Sequence, residues 1–387
     1  MSDSWQMYGD LMSAFVKAIP RSVYGDVRRL MPLAWAVVGL CFTRKVSLPG
    51  WSEMVISAAK FASSHVRRFA RWLNNEAVKP AEWYPYLLRT ALKDWPTGQR
   101  VLVALDTSVL GPFVIIRTSL VYRGRAIPVA WRILRHASAT VSFNDYKPVL
   151  ERTLEALPQG LVIVLLADRG FLHKELIRFA KNRFHYRIRV TGDTQVYLPN
   201  HPVTSVSCLC PPAGHAHFYH NVHIFGPRLG PVHLALACPE DQTDDPWFIV
   251  SDEPTDLTTL DEYGLRFDIE ENFLDDKSNG FQVQASKLDE PETLSRLFFI
   301  LAIATLYFTS VGVGVVRARV RRWVDIHWDR GMSYLKIGWA WLRQQYRRGW
   351  YRFSPYWLDP LPDPEPAIAS RCKAALPKQQ WIASFLC

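Results

Sequence analysis

"GLVIVLLADRGF", Gly160 to Phe171, is the stretch on which the fold turns. From Leu161 to Ala167 it is apolar without a break, the pattern of a strand covered on both faces. It stops at a carboxylate, Asp168. Downstream, "FLHKELIRFAKNR" has helical spacing and "FHYRIRV" reads as another strand. Upstream, "DYKPVLERTLEAL" is helical. Before it come "RVLVAL", a strand that stops at Asp106, then "FVIIRTSLVY" and "AIPVAWRIL", joined by the hairpin turn Arg123-Gly124-Arg125. The succession is three antiparallel strands, helix, strand, helix, strand. It predicts an α/β fold of RNase H-like type.

Outside that core the texture changes. Residues 1–95 read as helical, with Lys60, Arg67, Arg68 and Arg71 on a basic face that suits either solvent or DNA. Residues 96–190 form the first part of the core. Residues 191–250 carry short alternating runs rich in Pro and Gly, a β-rich insertion. Residues 251–316 return to helices and complete the core, and 317–387 form a basic, helical C-terminal region. Between Arg317 and Arg352 there are ten Arg or Lys against two Asp.

The chain has 387 residues, 21% of them charged, and a formal net charge of +10. That excess favours a polyanionic partner, nucleic acid before membrane. Six cysteines in so long a chain do not make a secreted disulfide framework. The opening MSDSWQMYGD lacks the features of a signal peptide, so the expected compartment is the cytoplasm. One run competes with that expectation. Leu297–Val316 is twenty residues without a charge, followed by RARVRR, and has the length and flank of a membrane span. The alternative is a helix buried in a large α/β domain.

Asp106 and Asp168 each end an apolar strand, and in open α/β sheets sites form at the carboxyl ends of strands. If the strands are neighbours, the carboxylates converge and need a cation between them, with Mg²⁺ the natural fit for oxygen ligands. Each acid taken singly could equally be a helix cap. A third acid comes from "YGLRFDIEENFLDDKSNG", Tyr263 to Gly280. On a regular helix Tyr263, Arg266, Glu270 and Lys277 share one stripe, while Glu271, Asp275 and Asp276 lie off it. Arg266 and Lys277 suit phosphate, bidentately and as a point charge. The bland reading is an ordinary i,i+4 pair between Arg266 and Glu270 on a solvated helix.

The spacing Tyr263-x2-Arg266-x3-Glu270-x6-Lys277 resembles the YREK signature of DDE transposases of the bacterial insertion-sequence-four type. "LDTSVL" at Asp106 and "LLADRGF" at Asp168 resemble that family's first two acidic motifs, and the insertion lies where the family carries one. The resemblance spans residues 96 to 310. It implies Asp106, Asp168 and Glu270 as catalytic residues and ligands of two Mg²⁺ ions, with Mn²⁺ substituting. It implies strand cleavage at terminal inverted repeats, a hairpin intermediate, strand transfer into target double-stranded DNA, and a homodimer on paired ends. Tyr263, Arg266, Lys277 and Arg169 would contact DNA. The expected setting is the bacterial cytoplasm, on the nucleoid. A departure is that Ile269 precedes Glu270, where relatives often have a Trp nearby; Phe218, Tyr219 and Trp247 are the aromatic candidates for holding a flipped base.

Two alternatives accompany this reading: a domesticated or inactive DNA-binding protein of the same fold, and a membrane protein built on residues 297–316. The stretch with Cys208, Cys210, His215, His217, His220 and His223 does not have finger spacing and reads as an alternating strand pair rather than a zinc site. The aromatics of the C-terminal region read as core rather than base-stacking residues.

Overall fold

The computed structural model describes residues 3–386 except 137, 139, 200, 227–228, 241–243, 287, 351, 354 and 367–380. The chain opens with helices α1 (Asp3–Ala18), α2 (Arg21–Tyr24), α3 (Leu30–Thr43), α4 (Leu48–Ser52), α5 (Ala62–Leu73) and α6 (Pro80–Ala91). In α1 the buried residues Met7, Leu11 and Phe15 recur every fourth position, which gives the helix one inward face. In α5 His65, Phe69 and Trp72 point inward while Arg67 and Arg71 are exposed. The helical first 95 residues have no core of their own among the described residues. Leu33, Trp51 and Trp83 join one apolar cluster with Val103, Ile116 and Leu166 of the sheet.

Strands β1 (Arg100–Leu110), β2 (Phe113–Tyr122) and β3 (Arg125–Arg135) follow as an antiparallel meander. Its second turn places both Arg123 (φ 50°) and Gly124 (φ 78°) in the left-handed region, as a two-residue hairpin turn demands. Helix α7 (Phe143–Ala156), β4 (Val162–Ala167), α8 (Lys174–Ala180) and β5 (His185–Arg189) come next. Both β4 and β5 are parallel to β1, with β4 between them. The order of elements is the one predicted.

Strands β6 (Gln195–Tyr197), β7 (Thr204–Ser205), β8 (His215–Ile224), β9 (Val232–Ala237) and β10 (Trp247–Ser251) occupy the β-rich region. They continue the same sheet rather than standing apart, because β10 pairs antiparallel with β5. The order is β3-β2-β1-β4-β5-β10-β9-β8-β6-β7, and β11 (Ile382–Leu386) adds to β8 in parallel.

Helices α9 (Leu257–Gly264) and α10 (Asp268–Leu274) are joined by a 3-10 turn, Leu265–Phe267, and α10 runs into a π-helical turn, Asp275–Asn279. α10 lies over β1, β2 and β3. Neighbouring residues of β2 reveal the two faces: Thr118 meets Thr153 of α7 at 2.6 Å, while Arg117 meets Asp276. The site therefore belongs to the face opposite α7.

Helices α11 (Pro291–Arg317) and α12 (Tyr334–Gln345) complete the molecule. α11 is long and apolar enough to cross a membrane, yet 94% of its most apolar window is buried within the protein. The surface that lipid would need is already covered by α12, α3, α6 and β3. α11 and α12 approach closely through glycines: a Cβ on Gly312 would lie 2.0 Å from the Tyr334 carbonyl oxygen, and one on Gly338 would lie 1.8 Å from that of Phe308.

Candidate active site

Asp106 does not end its strand. β1 continues to Leu110 because β2 pairs with it from Val103 to Leu110, whereas pairing with β4 stops at Leu105↔Ala167. The next residue on each strand is Asp106 and Asp168. The two acids stand at the fork where β4 leaves the sheet, which is how parallel neighbours bring separate chain segments together. Asp168 also caps the short turn that follows, accepting from the Arg169 N–H at 2.8 Å. The helix-cap reading of Asp168 is thus met, and the cap leaves its place beside Asp106 unchanged.

Glu270 arrives from α10. Arg266, 6% exposed, donates from Nη2 to Glu270 at 2.9 Å and from Nη1 to Asp106 at 3.2 Å. The i,i+4 pair foreseen as the bland reading exists, but it extends across the fold to the first strand. Burial pushes the Asp106 carboxyl up to about 6. Arg266 and the Thr107 N–H pull it back, and the charges of Glu270 and Asp168 push it further. Glu270 and Asp168 are thus each near enough to act on Asp106. Burial works against the charge on Arg266, yet the Tyr263, Asp106, Asp168 and Glu270 side chains together raise its pKa.

The donor chemistry, oxygen-only and electrostatically crowded, fits a hard divalent cation. The placement does not yet form a ligand set. Among the described residues no three His, Cys, Asp or Glu side chains converge on one metal position. The physical reason is Arg266, whose guanidinium holds Glu270 to itself and supplies positive charge beside Asp106. Nor do Cys208, Cys210 and the histidines of β8 form such a group: His220 is bonded to the Thr255 carbonyl oxygen, and Cys208 pairs with Ser205.

The single stripe expected of Tyr263, Arg266, Glu270 and Lys277 is not what the chain adopts. The 3-10 turn before α10 and the π turn after it change the angular step per residue. Tyr263 is fully buried in a second apolar cluster with Phe218, Ile249 and Leu260, and is not a surface group. Its hydroxyl lies beside the Arg266 guanidinium without a well-formed hydrogen bond; burial pushes its pKa up to about 12, while Arg266 pulls it back. Asp275 and Asp276, expected off the functional stripe, are buried against Arg125 and Arg117. Lys277 is half-buried beside Arg117 and Asp276, with its amine lowered by burial and by Arg117. Arg169 is exposed next to Asp168.

One residue near the site escaped the sequence reading. Arg117 faces Asp106 directly across the β1–β2 ladder, 1% exposed, paired with Asp276 and stacked 4.0 Å over Phe273. A cation in the middle of an apolar strand was the available signal, since a buried charge must be paired. Trp247, one of the aromatic candidates, packs edge-on against Tyr263 at 5.6 Å and near Phe267 at 6.3 Å. Phe218 and Tyr219 are core residues.

No known protein family matches this sequence, and no curated protein does. Among solved structures, the chain is similar to a piggyBac transposase synaptic complex with hairpin DNA. The TM-score is 0.44 at 10% identity, over 94% of this chain and 87% of that one. A likeness at that level decides neither family nor activity, and the functional reading rests on the residues themselves.

Proposed function

We propose that the protein is a DNA transposase with an RNase H-like core, cleaving strands at the ends of its element and joining them to target DNA. The observation that supports the reading is that Arg266 bonds both Asp106 of β1 and Glu270 of α10, with Asp168 following the end of the neighbouring strand β4. The strand order β3-β2-β1-β4-β5, with β2 alone running against the others, supports the RNase H-like assignment.

Asp106 and Asp168 would hold Mg²⁺ between neighbouring strands, and Glu270 would complete the set once Arg266 lets it go. A bound pair of ions supplies activation of the attacking water or 3′-hydroxyl and neutralisation of the leaving oxygen. Arg266, released from its carboxylates, grips a phosphate bidentately, and Lys277 and Arg169 add charge beside the backbone. Cut-and-paste movement through a hairpin, on terminal inverted repeats held by a homodimer, is part of the proposal. Trp247, which packs against Tyr263 and Phe267 beside the site's helix, would hold a flipped base.

Purified protein incubated with Mg²⁺ and labelled DNA carrying the element's own ends tests it on a denaturing gel. The wild type should nick at the end. Asp106→Ala, Asp168→Ala and Glu270→Ala should bind the same DNA and leave it uncut. Cleavage by any of the three at the wild-type rate would refute the assignment.

A further inference from the structure

The basic C-terminal region divides into two kinds of arginine. Arg330, Arg347 and Arg352 are neutralised within the molecule by Asp363, Asp3 and Asp10. Arg317, Arg319 and Arg322 are exposed and form no ion pair among the described residues. Arg317 and Arg319 precede the loop 321–330, "RRWVDIHWDR", and Arg322 lies within it.

That loop is braced from inside. Buried Arg321 binds Glu365 at 2.6 Å, Asp325 at 3.1 Å and the carbonyl oxygens of His327 and Trp328 at 2.9 and 2.6 Å. Asp325, with no exposed side chain, accepts from His327 Nδ1 at 2.7 Å and from the Gly331 N–H at 3.1 Å. On this rigid frame Ile326 is 90% exposed and Trp328 is 79% exposed. Arg322 stacks 3.6 Å over the Trp328 ring. Single exposed apolar residues need no explanation, but Ile326 and Trp328 held outward on a cross-linked loop that also half-exposes Trp323, beside arginines without ion pairs among the described residues, do.

We propose that loop 321–330 is a wedge that enters DNA, with Ile326 and Trp328 against unstacked bases and Arg317, Arg319 and Arg322 on the adjoining phosphates. A stacked Trp–Arg pair offers a flat face and a positive charge together, which suits a base beside its backbone. A second copy of this chain is a poor occupant, because a self-complementary contact would bring the same unpaired arginines of both copies together. The inference takes from the preceding reading only its DNA partner, not its chemistry.

The test uses the full chain and a short duplex, either fully paired or carrying a few unpaired bases around a central 2-aminopurine. Wild type should bind the second duplex more tightly and raise the 2-aminopurine emission as the base unstacks. Trp328→Ala should lose about tenfold in affinity for that duplex and lose the emission rise, with a smaller loss on paired DNA. Ile326→Ser should lose the rise in part, and Trp328→Phe should keep it. Arg322→Gln should lower the salt slope of binding by about 1. Both apolar positions are exposed, so all variants should melt as wild type does. Failure of the wild type to unstack the base, or wild-type behaviour by Trp328→Ala, overturns the wedge. So does a Trp328→Ala chain that keeps its DNA affinity but loses self-association in sedimentation. A chain that unstacks bases yet never cuts keeps this inference and loses the transposase reading. A chain that cuts while Trp328→Ala changes nothing does the reverse.

Discussion

Arg266 Nη1 lies 3.2 Å from Asp106 Oδ2, although 160 residues separate them. The same guanidinium holds Glu270, so one internal cation serves two acids of the site. A divalent ion approaching Asp106 therefore meets a positive charge at contact distance. Replacing Arg266 by Gln should tighten Mn²⁺ binding by the DNA-free chain at least tenfold, an order-of-magnitude Coulomb effect even at a protein-like dielectric. Free Mn²⁺ measured by electron paramagnetic resonance checks it. Equal or weaker uptake by the variant would show that Arg266 and the ion do not compete.

Asp106 also ties stability to pH. Its folded carboxyl sits at about 6, raised mainly by burial from an ordinary 3.8. The folded state thus holds that proton more tightly than the unfolded chain. The stabilisation is complete below the unfolded value and is lost as pH rises through about 6. Asp106→Asn removes this liability. Urea unfolding should find the variant on the order of 1–3 kcal/mol more stable than wild type at about pH 7.5, with the gap closing near pH 4. A gap independent of pH would mean that Asp106 is not the group responsible.

What the sequence disclosed, and what it hid, follow from local against non-local forces. Asp106 and Asp168 were legible because each follows an apolar run, and strand burial is written locally in such runs. The helix carrying Glu270 was legible in kind but not in phase. A uniform 100° step assumes ideal geometry, whereas Arg117 and Arg125 on the sheet draw Asp276 and Asp275 inward through the π turn. Pairing of β10 with β5 was hidden too, since only backbone hydrogen bonds between distant segments fix it. In the basic tail the charge was visible but its cancellation was not: Asp3 and Asp10, at the other end of the chain, neutralise Arg347 and Arg352.

Arg117 and Asp276 are both almost wholly buried, with side chains 1% and 3% exposed. Removing one partner of such a pair strands the other, at a cost of about 3–5 kcal/mol, while replacing both with apolar residues is often neutral. Arg117→Met and Asp276→Leu should each lower the denaturation midpoint strongly, and the double variant should recover most of the loss. Additive losses in that cycle would show that the two residues are not coupled.

Gly312 and Gly338 set the distance between α11 and α12, and what a methyl would meet at each is backbone oxygen, which cannot rotate away. Gly312→Ala and Gly338→Ala should therefore destabilise by roughly 2–4 kcal/mol through overpacking. Gly9 in α1 has open space around it, and Gly9→Ala should instead gain up to about 1 kcal/mol from helix propensity. Chemical denaturation of the three variants separates the two effects, since the same substitution is predicted to have opposite signs.

Tyr263 distinguishes a packing role from a chemical one. Its ring fills the cluster beneath β8–β10 and meets Trp247, while its hydroxyl is buried beside the Arg266 guanidinium without a well-formed hydrogen bond. An unsatisfied buried hydroxyl costs about 1–3 kcal/mol. Tyr263→Phe keeps the ring and deletes that cost, so its thermal midpoint should equal or exceed wild type. Tyr263→Ala, which empties the space, should lose about 3–5 kcal/mol. Strand cleavage is then measured with the stable Phe variant. Unchanged cleavage makes Tyr263 a support for α9 and the Arg266 turn. Slower cleavage by a protein at least as stable as wild type means that the hydroxyl acts in the site, on DNA or through Arg266, because no loss of fold remains to explain it.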